Sequence, residues 1–156
     1  PEDFPKDMAR LCAVADVILP NITEACLMTG TAFRTEYDEK YILDLLSKLS
    51  ELGCKKVVLT GVSFDPKKLG VAVYDCKSKK VEYYFNDKLP RMSHGTGDVY
   101  ASAFVGAYMN GKSVYESASI AADFTVRTIE ATMDDESHWY GVKFEKELPY
   151  LIDRLK

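Results

Sequence analysis

The sequence contains no apolar run near the ~20 residues that a membrane-spanning helix needs. No basic, apolar and small-residue stretch opens it in the manner of a signal peptide. Its four cysteines, Cys12, Cys26, Cys54 and Cys76, lie far apart, form no C-x-x-C pair and have no histidine nearby. They read as small core residues of a reduced, cytoplasmic protein rather than as disulfides or zinc ligands. Histidine is scarce, and His94 has no second ligand close to it, so it reads as a turn residue or hydrogen-bond partner. There is no excess of basic charge: the net charge of −4 gives no reason to expect nucleic acid or an anionic membrane as a partner. No internal repeat, low-complexity tract or linker interrupts the chain. A starting methionine is also absent, and the chain is expected to begin partway into something larger.

What is present is 156 residues, 47% of them hydrophobic, enough for a single domain over 1–156 with a substantial core. Helical and strand patterns alternate. Met8, Leu11 and Cys12 recur at helical spacing from about Pro5 onward. Asp16 to Leu19 is a short buried strand stopped by Pro20. Asn21 opens a helix through Met28 that closes at Gly30. Tyr41, Ile42, Leu45, Leu46, Leu49 and Leu52 form the stripe of an amphipathic helix over 38–52, ended by Gly53. Val57 to Thr60 is a second buried strand, broken by Gly61. Strand, helix and strand with short connections argue for a parallel sheet covered by helices.

The middle of the chain changes character. Residues 70–75 and 81–85 flank the polar stretch 76–80 and read as an antiparallel hairpin at a sheet edge, with Lys77, Lys79 and Lys80 in an exposed turn. Tyr74, Tyr83 and Tyr84 are expected to pair across strands. Ser113 and Glu116 form a capping-box pattern opening a helix to about Ala131. A polar loop with His138 and Trp139 follows, and Leu148, Leu151, Ile152 and Leu155 mark a last short helix.

Residues 94–108 concentrate the chemistry. Gly95 and Gly97 flank Thr96, and Asp98 leads into an apolar run from Val99 to Tyr108 that reads as a helix buried on nearly every side. A glycine turn feeding a helix N-terminus offers N–H groups and a positive dipole end to a phosphate. Asp98 beside it has the place of a general base next to an incoming phosphoryl group. The same four residues would also serve simply to turn the chain and cap a helix. A second candidate is Pro20-Asn21-Ile22-Thr23-Glu24 at the end of the first strand, itself a capping-box pattern. Thr60 and Gly61 end the next strand in the same way. Ligands of open α/β sheets collect at the carboxyl ends of strands, so in a parallel sheet these three ends converge on one rim.

Taken together and in this order, Pro20-Asn21-x-x-Glu24, Val58-Leu59-Thr60-Gly61 and Gly95-Thr96-Gly97-Asp98 resemble the ribokinase-like superfamily, and most of all its bacterial pyridoxal, pyridoxine and pyridoxamine kinases. The resemblance covers nearly the whole chain but only the carboxyl-terminal half or so of the family's usual length. It implies a three-layer α/β/α fold, with a mostly parallel sheet and an antiparallel edge hairpin, present here as an incomplete C-terminal portion with the ATP-binding and catalytic-base part. The activity it implies is ATP-dependent phosphorylation of the 5′-hydroxymethyl group of a B6 vitamer. Asp98 would be the base, and Gly95, Thr96 and Gly97 the anion hole. Asn21 and Thr60, with Gly61, would lie at the ATP phosphates, and Glu24 would hold Mg²⁺. A monovalent cation is a further candidate cofactor, and a homodimer is the expected assembly. His94-Gly-Thr-Gly is also similar to hydroxymethylpyrimidine kinases, where cysteine usually follows the second glycine; Asp98 there favours the pyridoxal kinase branch. A hydroxymethylpyrimidine, sugar or nucleoside kinase, or a catalytically incomplete nucleotide-binding half-domain, stays open as an alternative. With much of the family's acceptor pocket absent, the isolated chain is expected to be weakly active or inactive.

Overall fold

A computed structural model describes residues 4–90, 94–133, 135 and 141–156. They form two compact units, Pro1–Phe85 and Asn86–Lys156. His138 and Trp139 lie outside the described residues. Among the described residues no helix is long and apolar enough to cross a membrane.

In the first unit, helix α1 (Phe4–Cys12) precedes strand β1 (Val17–Ile18), helices α2 (Ile22–Thr29) and α3 (Glu39–Ser50), and strands β2 (Lys56–Val62), β3 (Lys68–Asp75) and β4 (Val81–Asp87). The sheet order is β1-β2-β3-β4. β1 and β2 run parallel, with Val17 opposite Lys56 and Ile18 opposite Val57. Parallel pairing needs a long crossover, which α2 and α3 supply. β2 and β3 are antiparallel, because the connection at 63–67 is too short for anything else. Antiparallel pairing therefore starts one strand earlier than the expected hairpin. That hairpin is present at the sheet edge: the Asp75 carboxylate accepts from the N–H groups of Lys77 (3.0 Å) and Ser78 (2.7 Å). Lys79 occupies the left-handed region at φ 58°.

The stripe of α3 behaves as its periodicity predicts. Ile42, Leu45, Leu46 and Leu49 are fully buried, together with Val57, Leu59, Ala72 and Tyr74 from one face of the sheet. Val58, Val71 and Val73 on the other face are buried too, which is why these strands read as continuous apolar runs rather than alternating ones. Gly61 does not break β2. It sits inside the strand at φ 81° as a bulge between the Thr60–Val71 and Val62–Gly70 pairs, a conformation that glycine adopts without strain.

The cysteines pack into this unit as small apolar residues. Cys12, Cys26 and Cys54 are buried and all four are free thiols. Burial, with the neighbouring Cys76 second, pushes the Cys54 thiol up to about 12, so it carries no thiolate at neutral pH.

The second unit holds α4 (Thr96–Met109), α5 (Val114–Glu130), a 3₁₀ turn (Phe144–Glu147) and α6 (Leu148–Leu155). α4 packs on α5. Ala103, Phe104 and Ala107 on α4, and Ala118 and Ala121 on α5, are buried. The Tyr100 hydroxyl donates to the Ala118 carbonyl (3.3 Å), and burial raises its pKa. α4 is not buried on nearly every side, as its composition led us to expect: Val105 and Met109 are 54% and 77% exposed. Apolar composition all round does not fix burial; one face packs and the opposite one stays open. α5 starts with the expected capping box, Ser113 Oγ accepting from Glu116 N–H (3.2 Å) and Glu116 from Ser113 N–H (2.9 Å). At its other end Arg127 pairs with Glu147 (2.6 Å) and lies over the Tyr150 ring, tying α5 to the 3₁₀ turn and α6.

Two outcomes test this packing. A Cβ at Gly70 would lie 2.0 Å from the Tyr84 carbonyl oxygen, so Gly70→Ala should lower the stability measured in urea by at least about 2 kcal/mol. Asp75 is held well below the usual carboxylate range, first by its hydrogen bond to Lys56 and then by the Ser78 N–H. A depressed folded-state pKa contributes stability above the unfolded value of about 3.9, lost as pH falls further. Asp75→Asn should therefore flatten the fall in melting temperature below about pH 4; an unchanged acid limb would remove Asp75 as its source.

Candidate functional site

The expected site residues fall into two groups, one in each compact unit. In the first unit, β1 ends at Ile18, and after Leu19 and Pro20 the chain turns into α2. Asn21 is the N-cap, in extended backbone at φ −84° and ψ 172°. Its Oδ1 accepts from the Glu24 N–H (2.9 Å), and the Glu24 carboxylate accepts from the Asn21 N–H (2.9 Å). The capping box read in the sequence is thus formed, and both side chains still reach solvent.

The parallel ladder extends past β1 to an isolated bridge between Asn21 and Thr60. The Thr60 N–H donates to the Pro20 carbonyl (2.9 Å), and its hydroxyl reaches the same oxygen at 3.4 Å. Asn21, Glu24, Thr60 and Gly61 therefore lie together at the carboxyl ends of two parallel strands. The arrangement presents an amide, a carboxylate, a hydroxyl and a glycine bulge beside a helix N-terminus, a donor set matched to phosphate oxygens and their counterion. Glu24 also borders an apolar groove of about 370 Å³ walled by Met8, Leu11, Leu19, Leu27 and Met28, whose lining does not suit a charged ligand.

Tyr37 was not singled out from the sequence. Its hydroxyl donates to the Gly61 carbonyl (3.3 Å) and accepts from the Ser63 N–H (3.1 Å). Those partners are 24 and 26 residues away along the chain, and no local pattern marks such a contact.

In the second unit, Gly95 is the N-cap of α4 in the left-handed region, φ 76° and ψ 1°, with no side-chain cap. The first helical bond runs from the Val99 N–H to the Gly95 carbonyl (3.1 Å). The N–H groups of Thr96, Gly97 and Asp98 precede that ladder. His94, Gly95, Gly97 and Asp98 are exposed and Thr96 half-buried, so this helix start is open rather than enclosed. Gly95 is required by its backbone conformation. Gly97 is not: it has no positive φ, and a Cβ built on it meets nothing within 4 Å. A glycine in a first helical turn forgoes up to about 1 kcal/mol relative to alanine, and nothing around it among the described residues demands one. Gly106 is equally uncrowded, but it lies mid-helix, beyond the N–H groups that precede the ladder.

A family model described as phosphomethylpyrimidine kinase matches residues 2–142. A hydroxymethylpyrimidine/phosphomethylpyrimidine kinase of Aquifex aeolicus is 28% identical over 121 residues, 75% of this chain and 44% of the relative. Among solved structures, a Bacteroides thetaiotaomicron protein named as a phosphomethylpyrimidine kinase superposes with a TM-score of 0.90 at 28% identity, covering 97% of this chain and 53% of its own. A second crystal form of it, solved with pyridoxal, gives 0.88. Pyridoxal kinase from Lactobacillus plantarum superposes at 0.87 with 26% identity, over 98% of this chain and 55% of its own. The chain thus spans about half the length of these relatives. The ribokinase-like α/β fold expected from the motifs is the observed one.

If Asn21 holds this strand end chiefly by capping, Asn21→Ala should cost about 1 kcal/mol in chemical denaturation, while Asn21→Asp, which keeps the acceptor, should cost much less. Equal losses in both would mean that the side-chain amide, not the cap, supplies the stability.

Proposed function

The chain belongs to the phosphomethylpyrimidine kinase family, and on that premise we propose that it carries the ATP-binding and base-bearing part of a kinase that phosphorylates a hydroxymethyl group on a nitrogen heterocycle. The observation that carries this reading is the open helix start at 95–98. It combines N–H groups ahead of the helical ladder, a glycine with no structural demand behind it among the described residues, and a carboxylate within the same turn. A B6 vitamer is the first acceptor to consider, supported by Asp98 following the second glycine and by the relatives solved as pyridoxal kinase or with pyridoxal. A hydroxymethylpyrimidine is the second, supported by the family description and the Aquifex aeolicus relative.

In this reading the Asp98 carboxylate takes the proton of the acceptor hydroxyl as its oxygen bonds to the γ-phosphorus. The bond from that phosphorus to the β–γ bridging oxygen breaks, and ADP leaves. An alcohol is a weak nucleophile at neutral pH, and a placed base is worth ~10²–10⁴ in rate. The N–H groups at 95–97 and the helix dipole meet the negative charge on the equatorial oxygens. Asn21, Thr60 and Gly61 contact the nucleotide phosphates. Glu24 suits Mg²⁺: a single exposed carboxylate fits an ion that keeps most of its waters and travels with phosphates, and it would offset their charge. Among the described residues no group of three His, Cys, Asp or Glu could hold a metal unaided, and water with the phosphates would complete that coordination. The three buried free thiols fit a reducing compartment, and we place the protein in the cytoplasm.

The reading is tested by ATP-dependent phosphate transfer to pyridoxal, pyridoxine, pyridoxamine and hydroxymethylpyrimidine. Transfer only to ribose or a nucleoside would sink the acceptor assignment. Asp98→Asn should lower turnover by about 100-fold or more with ATP affinity largely unchanged. Gly97→Ala should leave stability unchanged or raise it by up to about 1 kcal/mol yet lose transfer. A fully active Gly97→Ala protein would remove the glycine turn from the reaction.

A further inference from the structure

The bulge at Gly61 is closed by a side chain from outside the sheet. Thr60 pairs with Val71 and Val62 with Gly70, so Gly61 has no partner on β3. A bulge leaves main-chain groups outside the ladder; Gly61 is exposed and Ser63 half-buried, so water or a side chain can partner them. The Tyr37 hydroxyl does so twice, donating to the Gly61 carbonyl (3.3 Å) and accepting from the Ser63 N–H (3.1 Å). One hydroxyl thus spans the bulge from its unpaired residue to Ser63, the first residue past the end of β2.

The ring behind that hydroxyl is held from two sides. It stacks on Tyr41 at 5.5 Å between centroids and meets Phe64 edge-on at 6.4 Å. Tyr41 is itself 7% exposed and donates to the Ala32 carbonyl (2.9 Å), so the segment between α2 and α3 is pinned near both of its ends. Burial pushes the Tyr37 phenol up, so it remains a donor to the carbonyl at neutral pH.

We propose that Tyr37 is a positioning residue for nucleotide phosphate: its hydroxyl fixes the Gly61 bulge and thereby holds the Thr60 hydroxyl and the Gly61 backbone in the orientation that meets the phosphates. This rests on the proposed role of Thr60 and extends it to a residue that touches no ligand. Gly61, at φ 81°, constrains its own backbone less than any other residue would. The clip removes that freedom before the ligand arrives, which lowers the ordering cost of binding. Because it acts on the phosphate contacts alone, it discriminates ATP from adenosine.

Tyr37→Phe keeps both ring contacts and deletes only the hydroxyl. The expected result is faster hydrogen exchange at the Ser63 amide and ATP affinity weaker by about three- to tenfold, the worth of a hydrogen bond or two, with adenosine affinity unchanged. Calorimetric titration with each ligand reads the split, which a general loss of stability would not produce. Thr60→Val, measured alongside, tests the underlying reading separately. Loss of ATP affinity in Thr60→Val with none in Tyr37→Phe overturns the positioning role and leaves Thr60 in place. Full ATP affinity in Thr60→Val overturns the phosphate contact itself, and the role of Tyr37 falls with it. Unchanged exchange at Ser63 in Tyr37→Phe overturns the clip.

Discussion

The parallel pairing of β1 with β2 is the constraint on which the first unit depends. β1 is two residues long by its ladder, too short to hold itself in place. It is held because the crossover through α2 and α3 buries the leucine stripe of α3 against the sheet. That packing brings Pro20 alongside Thr60 and extends the pairing one bridge further, to Asn21. A strand end and a helix start are therefore made at the same point. The N-cap that stabilises α2 is also the residue bridged to Thr60, so the helix start and the candidate site are built on the same residue.

β2 has the opposite problem, since it is buried on both faces and must still end in an open loop. The bulge at Gly61 resolves this by twisting the strand out of register after Thr60. The groups left outside the ladder are covered by a tyrosine from a different connection. In the second unit the solution is simpler. α4 packs one face on α5, and Gly95, Gly97 and Asp98 at its start are exposed.

Membership of the phosphomethylpyrimidine kinase family and the likeness to pyridoxal kinase structures agree with this architecture. They agree because strand ends and helix starts, not catalytic side chains in number, define such a site: phosphoryl transfer asks mainly for positioning and charge. The chain spans about half the length of these relatives.

The sequence by itself determined whatever depends on neighbours three or four residues apart. The stripe of α3, the capping boxes at Asn21–Glu24 and Ser113–Glu116, the Gly30 cap and the edge hairpin were legible because local hydrogen bonds and helical periodicity decide them. The motif order also carried the family, since each motif is a strand end or helix start with its own local chemistry. Tertiary structure decided the rest. Gly61 reads as a strand breaker until the β3 partner and Tyr37 make it a bulge. The burial of α4 could not be read from composition, because an apolar helix is buried only where something packs on it, and Val105 and Met109 remain exposed. Nor does a tyrosine in a polar connection announce that its hydroxyl will close a turn 24 residues later, because that bond exists only after the crossover has placed the two segments side by side.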